Sequence, residues 1–158
     1  MWIEREAQTL LRQRMAHHPV VVLTGARQTG KTSLARHAFP QREYVSLDLP
    51  SEAEQADQDP QAFLLRHPPP VIIDEVQYAP GLFRHLKTVV DSRRDEAGLF
   101  LLTGSQQLGL MRSVSDSLAG RAVIVLLEGL TWPEIRRACP QVDLATMLLH
   151  GGFPELYS

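Results

Sequence analysis

Eight consecutive residues, Gly25, Ala26, Arg27, Gln28, Thr29, Gly30, Lys31 and Thr32, fit the pattern G-x-x-x-x-G-K-[ST], with Ser33 following directly. These residue types in this order can hold a polyphosphate. A glycine-rich turn lets successive backbone N–H groups point inward as a nest for anionic oxygens. A helix starting behind it adds the positive end of its dipole. Lys31 supplies a mobile cation for the β- and γ-phosphates, and the Thr32 hydroxyl can ligate Mg²⁺. Chance gives roughly one such match in a couple of hundred chains of this length at ordinary residue frequencies. Its setting is therefore what makes it specific: an apolar strand precedes it and a helical pattern follows. Within the loop, Arg27 and Gln28 can simply shape the turn.

A second group lies downstream. Val71-Ile72-Ile73 runs into Asp74-Glu75. Alone this string is common; after a phosphate cradle, at a strand end, it supplies what hydrolysis needs. Asp74 would hold Mg²⁺ together with Thr32. Glu75 would orient the attacking water and take its proton. The plain alternative is two solvated acids at a strand end. A carboxylate placed to activate water favours hydrolysis over phosphoryl transfer to a small molecule, and no guanine-reading N-K-x-D string is present.

Two further positions carry two readings each. Ser105, and after it Gln106, follow the apolar run 99–102 and could sense the γ-phosphate; Ser105 could equally cap the next helix. Arg121 follows Leu118-Ala119-Gly120. Its planar fork never loses its proton, so it could neutralise charge on a transferring phosphoryl group. It could also be a solvated arginine at a helix end. Acting in trans, Arg121 would make the active form an oligomer. Asp48 and Gln77 are weaker candidates, Gln77 being expected on the surface. The six histidines show no metal-ligand spacing.

Positioning these groups needs strands that end where they stand. Residues 20–24, 44–47, 71–73, 99–102 and 122–127 are short apolar runs that read as strands, the buried ones of a parallel sheet. Apolar spacing predicts a lead-in helix over residues 3–15, stopped by Pro19. Further helices are expected over 31–39, on the face of Leu82, Phe83, Leu86, Val89 and Val90, and in one or two pieces over 106–119. Thr131 and Glu134 have the spacing of a capping box opening another helix. Residues 143–150 read as the last helix, closed by Gly151 and Gly152. Residues 51–60 carry four acids and no base, and are expected to be a solvated loop or a helix start. Strands alternating with helices indicate a three-layer α/β fold, with ligands at the carboxyl ends of the strands.

The totals exclude little but are consistent. The 158 residues suggest one domain. The formal charge of −2 offers no global field for nucleic acid or an anionic membrane. Cys139 is the only cysteine, so no internal disulfide can form. The charged start lacks a signal-type apolar run. The longest apolar runs are far short of the ~20 residues that cross a bilayer. A cytoplasmic protein is expected.

The strings GARQTGKTSLAR, VIIDEVQYAPGLFRHLKTVVD, FLLTGSQQLGLMRSVSDSLAGR, LEGLTWPEI and GGFPELY together resemble a widespread family of prokaryotic AAA-type ATPases, in its archaeal-ATPase branch. The resemblance runs from the lead-in helix to the end of the chain, with its strings in the family's order. It implies a five-stranded P-loop core in the order 5-1-4-3-2, ATP and Mg²⁺ as ligands, and Glu75 as the catalytic acid residue. It favours Ser105 as the sensor and Arg121 as an arginine finger or sensor. It also implies a helical region and a C-terminal domain beyond Gly-Gly-Phe-Pro-Glu, so that the chain would be a fragment or a natural truncation. The family usually has Thr where Ser33 stands, a conservative departure. The function expected is Mg-dependent ATP hydrolysis coupled to an unidentified partner or a further domain. A nucleotide-gated binding module with negligible turnover is the alternative.

Overall fold

The computed structural model describes residues 2–105 and 108–157. Five parallel strands form one sheet: β1 (Val20–Gly25), β2 (Glu43–Ser46), β3 (Val71–Asp74), β4 (Phe100–Ser105) and β5 (Ala122–Leu126), in the spatial order β2-β3-β4-β1-β5. This is the order that the family resemblance implies. The central strands β1 and β4 are buried along their whole length, which is why Val20–Leu23 and Phe100–Leu102 are unbroken apolar runs rather than alternations.

Side chains of a strand alternate between the two faces of the sheet, and each face has its own cover. On one face Val20, Val22, Ile73 and Leu102 meet α5 (Leu82–Ser92) and α6 (Leu108–Leu118), with α3 (Pro50–Gln58) and α4 (Pro60–Arg66) beside them. On the other, Val21, Leu23, Ile72, Leu101 and Val125 meet α1 (Ala7–His17) and α2 (Lys31–Ala38). A third, smaller cluster gathers Ile3, Leu130, Ile135, Cys139 and Tyr157. It joins the amino-terminal residues to α7 (Trp132–Ala138) and to the segment after α8 (Leu144–His150).

The helix expected from Ile3 begins only at Ala7. Ile3 is instead drawn into the small cluster and Arg5 is buried, so residues 2–5 form a strap rather than a helical turn. Tertiary burial has overridden helical spacing there. Strand β4 runs three residues further than its apolar run, through Thr103 to Ser105. Residues 50–58 are helical, with Pro50 in the first turn, and Asp59 caps α4 by accepting from the Ala62 N–H. Both halves of the capping box at Thr131 and Glu134 form.

Gly25 lets β1 and the chain leaving β5 touch. A Cβ there would lie 2.1 Å from the Leu127 carbonyl oxygen, a backbone atom that cannot swing aside. Gly25→Ala should therefore cost about 1–3 kcal/mol of stability, as overpacking does. Thermal unfolding should register this as a fall of several degrees in Tm; an unchanged Tm would contradict the close approach.

Candidate functional site

The loop between β1 and α2 turns through two left-handed residues, Gln28 (φ 64°) and Gly30 (φ 89°). The Thr29 hydroxyl closes it by donating to the Ala26 carbonyl at 3.0 Å. Gly30 stands at the N-cap of α2 with no side-chain cap, so the first-turn N–H groups are left to an anion. The Lys31 ammonium folds back onto the loop and donates to the Ala26 carbonyl at 2.7 Å and the Gly25 carbonyl at 3.2 Å. Burial lowers its pKa, while Glu75 and Asp74 pull it back up. A desolvated ammonium of this kind gains strongly from a phosphate oxygen.

Thr32, on the first turn of α2, faces Asp74 at the end of β3. Its hydroxyl lies 2.9 and 3.0 Å from the two carboxylate oxygens. Asp74 is 3% exposed. Tyr44 also donates to it, at 2.8 Å, and so does the Thr103 hydroxyl. Burial, with the hydrogen bond to Asp74 next, pushes the Tyr44 phenol up to about 12. A hydroxyl and a carboxylate are hard oxygen donors, and two such groups are what Mg²⁺ takes from a protein while phosphates and waters complete its shell. The pair Thr32 and Asp74 thus fits that ion.

Glu75 leaves β3 in the left-handed region (φ 56°), with its N–H held by the Thr103 hydroxyl at 3.2 Å. A non-glycine residue in this conformation is uncommon and strained. The turn aims its side chain into a cavity of ≈ 740 Å³ that also takes in Arg27, Gln28, Lys31, Thr32 and Ser33. The volume lies within the range of small-molecule sites. The Gln77 amide donates to the Glu75 carboxylate, so Gln77, expected on the surface, stands against the acid. A Cβ on Gly104 would lie 2.6 Å from the Gln77 amide oxygen; the missing side chain makes room for it.

Ser105 ends β4 beside Gly25 in the strand register and is 7% exposed. It therefore shares the carboxyl edge of the sheet with the loop and Asp74. Gln106 lies outside the described residues. Asp48 lies on the cavity wall. Arg121 does not join this group. It precedes Ala122, which stands opposite Val20, the first residue of β1. Gly25, at the other end of β1, is roughly 16 Å further along the strand. There the Arg121 guanidinium grips Asp91 with two bonds, of 2.7 and 3.0 Å. The ion pair raises the Arg121 pKa and lowers that of Asp91. From that position Arg121 cannot reach the glycine loop of its own chain.

Sequence reasoning missed Arg5, Tyr44 and Thr103. Thr103 stands two residues before Ser105, on the same face of β4, and could have been found by extending the strand. Tyr44 becomes a site residue only through β2 lying beside β3 in the sheet. Nothing in the local spacing marks Arg5.

A parallel sheet in this order, with a glycine loop feeding a helix and an acid pair at the end of the strand next but one, has the fold of a P-loop NTPase. A family model described as an AAA domain matches residues 17–136, and the chain belongs to that family. Among curated proteins, an uncharacterized protein of Mycobacterium bovis and another of Mycobacterium tuberculosis are each 34% identical over 160 residues. The match covers 100% of this chain and 35% of theirs, so the chain spans about a third of their length. Among solved structures, a Walker-type ATPase of Pyrococcus abyssi superposes with a TM-score of 0.62 at 18% identity, over 97% of this chain and 65% of that one. A signal transduction ATPase with numerous domains and a tetratricopeptide repeat sensor, from Pyrococcus horikoshii, gives 0.60 at 16% identity, over 97% and 28%. The RuvB Holliday junction branch migration motor of Thermotoga maritima gives 0.52 at 20%, over 87% and 51%. At these identities the likeness to solved structures is one of fold. Among the described residues, no helix is long and apolar enough to cross a membrane.

Proposed function

We propose that the chain binds Mg-ATP on residues 25–33 and hydrolyses it with Glu75. The observation that carries this reading is the meeting of two motifs 42 residues apart: the Thr32 hydroxyl on both oxygens of Asp74, in the cavity that Lys31 and Glu75 share. Backbone N–H groups of the loop and the Lys31 ammonium bind the β- and γ-phosphates. Thr32 and Asp74 would hold a magnesium ion, which would offset the phosphate charge. Glu75 orients a water in line with the γ-phosphorus and takes its proton as the new P–O bond forms. The bond from the γ-phosphorus to the β–γ bridging oxygen breaks, and ADP leaves with those electrons. Ser105 contacts the γ-phosphate from the end of β4, and Gln77 sets the direction of Glu75.

Arg121 serves a neighbouring copy in this reading, since the glycine loop of its own chain is out of reach. The active form is then a homo-oligomer in which the Asp91 pair opens. Turnover is coupled to a partner protein or to a further domain, and the chain, 1–158, acts as one cytoplasmic ATPase unit. The rival, a nucleotide-gated module with negligible turnover, draws support from the Glu75 carboxylate being engaged by Gln77.

Phosphate release measured across protein concentrations tests the trans role. Specific activity should rise with concentration, and Arg121→Ala should remove that rise, with a loss on the order of 10³-fold in the concentrated limit. Strictly linear activity from a monomer would exclude the trans role.

A further inference from the structure

Arg5 stands outside every motif, yet it is buried, 5% exposed, against the nucleotide loop. Its guanidinium donates to the Thr29 carbonyl at 2.8 Å, to the Glu128 carbonyl at 2.8 Å and to the Gly129 carbonyl at 3.2 Å. Its Nε faces both oxygens of Glu134, each at 3.3 Å. One side chain thus spans the strap 2–5, the nucleotide loop, the segment leaving β5 and the start of α7.

The shorter bonds go to the carbonyls. Glu134 is meanwhile supplied independently: its carboxylate accepts the Glu6 N–H at 2.7 Å and the Thr131 N–H at 2.8 Å. The capping box therefore does not need Arg5, while Arg5 needs a buried counter-charge. The bond to Thr29 has a consequence for the cradle. A peptide unit is planar and trans, so its C=O and the following N–H point to opposite sides. Holding the Thr29 carbonyl towards Arg5 turns the Gly30 N–H to the opposite side of that peptide, and Gly30 lines the cavity. Lysine could not replace this fork, because a single ammonium cannot span the loop carbonyl, the Glu128 carbonyl and the carboxylate at once.

We propose that Arg5 is a positioning residue for nucleotide binding: through the Thr29 carbonyl it sets the Gly30 N–H towards the phosphates, and through Glu134 it braces the loop against α7. This rests on the nucleotide reading above. The test compares the wild type, Arg5→Met, the double variant Arg5→Met/Glu134→Gln and Lys31→Ala. Each is titrated with Mg-ADP in a calorimeter at a temperature where far-UV circular dichroism shows it folded, and Tm is recorded alongside. Arg5→Met leaves the buried Glu134 charge without its cation and should lower Tm strongly; Glu134→Gln in the same chain removes that charge but turns an amide NH2 towards one of the two N–H groups the carboxylate had accepted, so only part of the loss should return. Affinity should not follow. The double variant should remain roughly tenfold or more weaker than the wild type, the size of one lost charge-assisted hydrogen bond. A purely structural ion pair predicts that affinity returns with stability. Wild-type affinity in the folded double variant would overturn the role of Arg5 alone. Absence of Mg-ADP uptake by the wild type, or equal uptake by Lys31→Ala, would instead bring down the nucleotide reading and this proposal with it.

Discussion

Glu75→Gln should leave ATP bound and cut phosphate release by about 10²- to 10⁴-fold, the span expected when a positioned general base is lost. The substitution is nearly isosteric and keeps the backbone that matters. Glu75 sits in the left-handed region whatever its side chain carries, and its N–H stays on the Thr103 hydroxyl. Thr32, Asp74 and Lys31 are untouched, so the affinity terms remain. What disappears is the carboxylate that accepts the water's proton. Single-turnover phosphate release, with nucleotide retention followed in parallel, separates the two quantities. Equal turnover and equal nucleotide lifetime in variant and wild type would favour the nucleotide-gated module.

Lys31→Ala should act on the other quantity. Hydrogen bonds to charged groups contribute about 1.5–3 kcal/mol, so losing the ammonium should weaken ATP binding by roughly 10- to 150-fold. The fold should survive. The ammonium is partly desolvated, which lowers its pKa, and among the described residues its hydrogen bonds go to the Gly25 and Ala26 carbonyls of the loop itself. Tm should stay within a few degrees of the wild type while the calorimetric Kd rises. A variant that binds ATP as the wild type does would remove the phosphate role of Lys31. One that fails to fold would show that the loop needs its lysine for structure.

How much of this could be read from residues alone follows a physical divide. The loop 25–32 and the placing of Asp74 and Glu75 at a strand end were legible because each lies within a few residues of chain, next to an apolar run that reads as a buried strand. The helix α7 was legible for the same reason: Thr131 and Glu134 satisfy each other's backbone within one turn. The strap 2–5 was not. Ile3 fits helical spacing, and only the cluster of Leu130, Ile135 and Tyr157 offers it more burial than a helical turn would. Arg5 was hidden by the same distance, since its partners stand at 29, 128, 129 and 134. Tyr44 reached Asp74 only because β2 pairs with β3. Arg121 shows the limit from the other side. Its position before β5 was legible; that this places it at the amino edge of the sheet, gripping Asp91, required the parallel register of β5 on β1.

The central claim is that the loop, Thr32 and Asp74 together form one site for a nucleotide polyphosphate with its metal. Titrating ATP into the folded wild-type chain, once with magnesium and once with excess chelator, tests it most directly. The account predicts a saturable single-site isotherm with magnesium and a severalfold to tenfold weaker one without it. Identical isotherms in the two conditions, or no saturable heat in either, would contradict it.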